Sequence, residues 1–197
     1  MKSLTNILSL FLLTSLSLSA QNIDANTYDA KTGERYITTR NYKGNKLELN
    51  HTVSSSGALY FAAGYQSGKS GEKISETYFI DLYIVHNDRR LGCMKEYTST
   101  ATLILADGTE MECFQISETD CNNVAFKAAF ALKVRGGSDK TTMEENFKKL
   151  MTTEIVEIKI KTTEKIEKFK IKQREREYLK NHFILIDKTI KAKPNNP

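Results

Sequence analysis

Asp81 stands inside the apolar run ISETYFIDLYIVH (74–86), with His86 and Asp88 following close behind. A carboxylate among apolar side chains acquires a raised pKa and can serve as an acid, and a nearby imidazole can relay protons. Together the three residues define an exported-hydrolase reading. No Ser or Cys nucleophile stands in a recognisable elbow beside them, and no HExxH zinc motif occurs. A strand with one solvated face accounts for Asp81 without catalysis.

The segment Ala63-Gly-Tyr-Gln-Ser-Gly68-Lys69-Ser70 fits a relaxed phosphate-loop pattern. Such a loop needs a following helix whose N-terminal N–H groups receive the phosphates. Here GEKISETYFI opens another strand pattern instead, so a flexible hairpin loop is expected and nucleotide is not. Glu118, Asp120, Asn122 and Asn123 supply oxygens of the kind that hold calcium, but without EF-hand spacing, and a polar turn explains them. His51, His86 and His182 share no metal-ligand spacing. No metal or cofactor is expected.

Three cysteines, Cys93, Cys113 and Cys121, leave at least one thiol unpaired. Cys113 and Cys121 lie at a strand end and in the next polar loop, and the expected bridge is Cys113–Cys121. Closing that loop stabilises by about 2.5 kcal/mol in the chain-entropy model, and Cys93–Cys113 would gain less than about 1 kcal/mol more. Entropy therefore does not choose between them, and a chain with no bridge is the other alternative. Arg89, Arg90 and Lys95 flank Cys93, which could activate a thiol there, although a buried structural cysteine is the expectation.

Two surfaces suggest binding. Tyr36, Tyr42, Tyr60, Tyr65, Tyr78 and Tyr83 could present an adhesive or sugar-stacking face, although tyrosines also suit half-buried strands and the chain contains no Trp. Lys159, Lys161, Lys168, Lys170 and Lys172 could form an anion-binding face, or simply guard an edge strand against aggregation. The net charge of +5 arises entirely in the C-terminal part, where residues 139–197 hold 15 Lys/Arg against 10 Asp/Glu. Acidic residues interleave throughout, so nucleic acid is not an expected partner.

These residues need elements to position them and a compartment to work in. MKSLTNILSLFLLTSLSLSA has a basic start, an apolar core and a small-residue end, the layout of a secretory signal peptide with cleavage expected between Ala20 and Gln21. Its apolar core is too short for a permanent membrane helix, and no later stretch is apolar enough for one. The expected location is periplasmic or secreted, with no membrane anchor after signal removal. Export makes the cysteines candidates for oxidation and takes the Ala63–Ser70 segment away from cytosolic nucleotide.

Residues 21–27 read as a mobile leader, 28–190 as one domain and 191–197 as a disordered tail. Runs rich in Tyr, Phe, Ile and Val at 35–42, 46–53, 58–65 and 74–86 are bounded by Gly, Asn, Asp and Ser, the signature of strands. Asp107-Gly108 joins 101–106 to 109–117 as a hairpin. In 124–134, alternate residues from Val124 to Val134 share one apolar face. Thr142–Glu145 reads as a capping box for a short helix ending at Leu150 or Met151. EIVEIKIK (154–161) and KIEKFKIK (165–172) form a hairpin, with Val156, Ile158 and Ile160 on one face. From Arg174, Leu179, His182, Phe183, Ile186 and Ile190 form one helical stripe.

YDAKTGERYITTR, TLILADGTEMECFQIS and NFKKLMTTEIVEIKIKTTEKIEKFKI resemble the corresponding segments of exported Bacteroidota proteins to which no activity is assigned. The resemblance implies an exported domain and brings no catalytic residues. The expected fold is α+β, a mostly antiparallel β-sheet or sandwich with one short helix and a C-terminal amphipathic helix. The expected function is non-enzymatic binding of a protein or glycan partner. The alternatives are the Asp81/His86/Asp88 hydrolase and anion binding by the lysine hairpin.

Overall fold

A computed structural model describes residues 22–40, 42–43, 46–47, 53–54, 57–70, 73–86, 88–133 and 140–192. The expected signal segment and its expected cleavage site at Ala20–Gln21, His51 and residues 193–197 lie outside the described residues. In chain order the strands are β1 (Ile23–Tyr28), β2 (Arg35–Thr39), β3 (Tyr42–Lys43), β4 (Lys46–Leu47), β5 (Val53–Ser54), β6 (Gly57–Ser70) and β7 (Lys73–His86). They continue with β8 (Thr100–Leu105), β9 (Glu110–Gln115), β10 (Ala125–Ala131), β11 (Ile155–Lys161) and β12 (Ile166–Lys170). The helices are α1 (Lys140–Thr152) and α2 (Gln173–Lys191), and a one-turn 3-10 helix spans Arg89–Leu91. The fold is α+β, as the alternation of strand patterns and one late helical stripe implies.

One ten-stranded antiparallel sheet runs β1-β2-β6-β7-β10-β9-β8-β11-β12, with β5 added to the start of β6. A flat sheet would hold β12 about 30 Å from β6 at six strand spacings. Instead β12 lies against β5, so the sheet curls strongly around its inner face. Helix α2 fills that concavity, packing on β2, β6 and β11, while α1 packs on α2 and β7. One apolar cluster joins the layers, including Phe61, Phe126, Phe130, Phe169 and Phe183, all of them buried.

The frame is the β6–β7 hairpin, in register from Gly57↔His86 to Ser70↔Lys73. The Ala63–Ser70 segment, expected as a loop, is the second half of β6. Its extended backbone cannot curl its N–H groups around a phosphate. Residues 21–27, expected as a mobile leader, mostly form β1, which pairs with β2 from Ile23 to Tyr28. The intervening turn is closed by Gly33 N donating to Asp29 O and Lys31 N donating to Asp29 Oδ1. As an edge strand with little buried surface, β1 can be polar and still be held by its backbone.

Helix α1 begins two residues before the Thr142 of the expected capping box and ends at Thr152. In β11 the register shifts between Ile155 and Glu157, so Ile155, rather than Val156, joins Ile158 and Ile160 in the core. The Asp107-Gly108 turn forms as expected, with Gly108 at φ 85°, a conformation that glycine adopts without steric cost.

Two polar contacts fix α2 on the sheet. Arg35, nearly buried on β2, donates from Nη1 to Ile190 O (2.9 Å) and from Nη2 to Thr189 O (2.6 Å) and Ala192 O (3.4 Å). These are carbonyls that the last helical turn leaves without partners, at the negative end of the helix dipole. Arg35→Met should lower stability by about 2 kcal/mol in urea denaturation. Arg35→Lys should recover little of that loss, because an ammonium lacks the planar fork.

His182, on the inner stripe of α2, is buried with Nδ1 2.7 Å from the Thr39 hydroxyl and its ring against Phe61 and Tyr178. Burial pushes its pKa down from 6.5 to about 3. Below pH 6.5 the unfolded chain takes up a proton that the folded chain refuses, so stability is complete above 6.5 and is lost as pH falls toward 3. The loss should be about 1.4 kcal/mol per pH unit from this one group. The stability difference between the natural protein and His182→Gln should change with that slope between pH 6.5 and 4.5. A difference independent of pH would show that His182 is charged in the folded state.

Candidate functional site

Both helices lie on one side of the sheet, which leaves the other face of its centre to solvent. On β7 the side chains of Ile80, Leu82, Ile84 and His86 turn inward, while Phe79, Asp81, Tyr83 and Val85 turn outward. Asp81 is flanked across the strands by Ala62 of β6 and Ala129 of β10. Along its own strand stand Phe79 and Tyr83. The carboxylate thus sits in a depression floored by alanines and walled by rings. Tyr83 pairs with Tyr60 (ring centroids 5.8 Å), and Phe79 stacks with Tyr36 of β2 (6.1 Å). Phe79 lies over Gly64, where a Cβ would meet its ring at 2.1 Å, so the flat ring requires glycine beneath it.

A cleft of about 470 Å3 opens here, lined by Tyr36, Phe79, Asp81, Lys127, Ala129 and the loop residues Ser117, Glu118, Thr119 and Asp120. Asp81 makes no hydrogen bond or ion pair with any described residue. Burial raises its pKa above the ordinary carboxylate value, and the Lys127 ammonium on the same face partly offsets that.

The loop wall is held by its own polar groups. Strand β10 pairs with β9 only at Phe130↔Gln115 and Ala131↔Phe114, so the rest of that edge needs other partners. Ala129 N donates to Ser117 Oγ (3.1 Å), Lys127 N to Asp120 Oδ2 (2.9 Å), and Ile116 N to Ala129 O (2.8 Å). From below, buried Gln115 donates through Nε2 to Glu118 O (3.0 Å) and Ser117 O (3.2 Å). Asp120 and Asn122, weighed as calcium ligands, instead spend oxygens on backbone N–H groups, Asn122 Oδ1 receiving Val124 N (2.8 Å). Among the described residues no group of three metal-ligating side chains converges.

The disulfide corrects the sequence reading. It joins Cys93 to Cys121, and Cys113 is free and buried. Met94 and Asp120 exchange two backbone hydrogen bonds of 2.8 Å, an antiparallel bridge that sets Cys93 opposite Cys121 at a Cα separation of 4.3 Å. Cys113 pairs with Ala101 on the inner face, turned away from the loop that carries Cys121. Burial pushes its thiol pKa well up, so it is inert rather than reactive.

The hydrolase residues do not converge. Asp81 and His86 occupy opposite faces of β7; His86 is buried against Phe126, with Nε2 3.1 Å from Asn122 O. Asp88 caps the 3-10 turn and binds Lys165 (2.7 Å) and Arg90 (2.9 Å), contacts that hold its pKa far below the usual range. The tyrosines divide as well. Tyr36, Tyr60 and Tyr83 face outward, whereas Tyr65 and Tyr78 point inward, Tyr78 stacking on Phe147 of α1. Tyr42 lies in β3, where the backbone alone is described.

Lys159, Lys161, Lys168 and Lys170 do share the outer face, with Lys159 directly opposite Lys168. Their charge is partly balanced, since Lys159 binds Glu110 (3.1 Å) and Lys170 stands opposite Glu157. Lys172 lies beyond the hairpin, at the N-cap of α2. No described helix is long and apolar enough to cross a membrane. Sequence reasoning singled out Asp81 but missed Lys127, Ser117 and Thr119. The alternation in β10 and β7 carried a signal for Lys127 alone. Compared with known proteins, the chain matches no family model, no curated protein and no solved structure.

Non-reducing digestion should release a peptide pair linked through Cys93 and Cys121, and a Cys113–Cys121 link would overturn the assignment. The native protein should show no reactive thiol, one after denaturation and three after reduction. Cys93→Ser with Cys121→Ser should lower stability by about 3.5 kcal/mol for a loop of 28 residues.

Proposed function

We propose that this is an exported, non-catalytic binding protein that holds a protein or glycan partner against the open face of its sheet, at the Asp81 cleft. The observation that carries the reading is the unpartnered, half-buried Asp81 carboxylate on the floor of an aromatic-walled cleft of about 470 Å3. A carboxylate in that position is costly to the fold unless a ligand makes use of it. The same geometry supports binding over hydrolysis, because neither His86 nor Asp88 reaches Asp81. Export is supported by the layout of residues 1–20, by the resemblance to exported Bacteroidota proteins and by a disulfide, which persists in oxidising compartments. The lysine hairpin offers a weaker surface for the same role, since Glu110 and Glu157 offset it.

The mature protein is to be assayed against envelope extracts and a glycan panel, and in an esterase, glycosidase and peptidase screen. Binding should weaken roughly tenfold or more in Asp81→Ala, the scale of a lost charged hydrogen bond. It should also weaken as pH falls through the raised pKa of Asp81, because protonation removes the acceptor. Turnover abolished by Asp81→Ala would overturn the reading, as would a partner whose affinity ignores that substitution.

A further inference from the structure

Tyr36 is 39% exposed and borders two depressions rather than one. On its far side a second hollow of about 230 Å3 is lined by Thr27, Glu34, Tyr36 and Gln66, among others. Tyr36 lines both hollows, and Asp81 lies diagonally from it, four residues further along β7 than the Thr77 that is level with Tyr36. From β2 to β10 is three strand spacings, about 14 Å, so a ligand touching both is elongated.

The lining selects its chemistry. Apart from β1, whose Thr27 rims the smaller hollow, the strands under the groove are interior to the sheet, and a peptide pairing with the free edge of β1 would run along the strands two spacings from Tyr36 rather than across the groove. Nor is there a deep apolar pocket for a side chain, since Phe79 is 4% and Ala62 is 3% exposed. What the groove offers is one accessible ring face and planar or hydroxyl acceptors and donors on either side of it. Asp81, Glu118 and Asp120 outnumber Lys127 in the larger hollow, and Asp29 and Glu34 outnumber Arg35 in the smaller one, a balance that opposes polyanions.

We propose that the ligand of this face is a neutral oligosaccharide laid across Tyr36, with one sugar ring stacked on the tyrosine and the Asp81 carboxylate accepting hydroxyls of a neighbouring sugar. This rests on the binding reading above and narrows it to one ligand class. A carboxylate has two oxygens and takes two hydroxyl donors at once, and a phenol ring presents a flat apolar face to the C–H side of a pyranose.

The test is an array of neutral and acidic glycans on the mature protein, followed by titration. Tyrosine fluorescence can follow binding, because the chain contains no Trp. Affinity for neutral glycans should rise with chain length until both hollows are filled. Tyr36→Ala should weaken the longest ligand about tenfold, and Tyr36→Phe should leave it nearly unchanged. Ala129→Arg blocks the larger hollow from a different strand, and it should abolish binding while circular dichroism and the melting temperature stay the same. A preference for acidic glycans, or binding independent of chain length, overturns the oligosaccharide. So does a peptide ligand lost in Asp81→Ala, although that outcome leaves the binding reading standing. No ligand sensitive to either Asp81→Ala or Ala129→Arg removes both.

Discussion

Side chains on a strand alternate between two faces, and among the described residues the helices cover only one face of the sheet. Almost everything of functional interest follows from which parity a residue has. From Ile80 to His86 on β7, even-numbered positions enter the core and odd-numbered ones take the outer face. Asp81 and His86 therefore cannot meet, however close they lie in sequence. On β9 the same rule buries Cys113 and turns Glu110 and Glu112 outward. A one-residue slip in the β6–β7 register would exchange the two sets, placing Asp81 beneath α2 and Leu82 in solvent. The fourteen-residue strands of that hairpin make such a slip costly along their whole length.

The inner face owes its shape to α2. A curled sheet leaves a concavity that must be filled, and the stripe Leu179, His182, Phe183 and Ile186 fills it. The helix is then tied at two points of the same strand. Arg35 takes the carbonyls at its C-terminal end and Thr39 takes the imidazole of His182. Both partners come from β2, whose other face presents Tyr36. The strand that seats the helix is thus also the strand that supplies the exposed ring of the groove, which fixes that ring relative to the core.

Much of the architecture was legible in the sequence. Strand runs ended near Gly, Asn and Asp because those residues accept turn geometries, and α2 announced itself through apolar residues spaced i, i+3, i+4 and i+7. Three features were not legible, each for a physical reason. Edge strand β1 buries too little to need apolar alternation, so its polar residues read as leader. The stretch from Gln66 to Ser70 carries loop-type residues, yet backbone pairing down a long hairpin overrides that local preference. The bulge in β11 replaced Val156 by Ile155, a shift of phase that no period-two count can anticipate. The candidate site was only partly visible: Asp81 stood out as an acid in an apolar run, but Lys127 and Ser117 reach it through pairings distant in sequence.

The disulfide shows why loop geometry, and not loop entropy, decides such sites. Between β9 and β10 the chain must leave the sheet, and the β10 edge it exposes is satisfied by Ser117 and Asp120 rather than by a strand. Those two bonds pull the loop against the sheet and align Asp120 with Met94, which leaves Cys121 facing Cys93. The segment carrying Cys93 is in turn held to the β11–β12 turn, where Thr163 N donates to Cys93 O (3.0 Å) and Cys93 N to Thr163 Oγ (2.9 Å). The wall of the cleft is therefore braced from the far edge of the sheet, through a covalent bond and a chain of backbone contacts. Polar loops usually move because their backbone groups are exchanged with water. In this one several of those groups are spent on protein partners, so a ligand bound in the cleft would cost little ordering entropy.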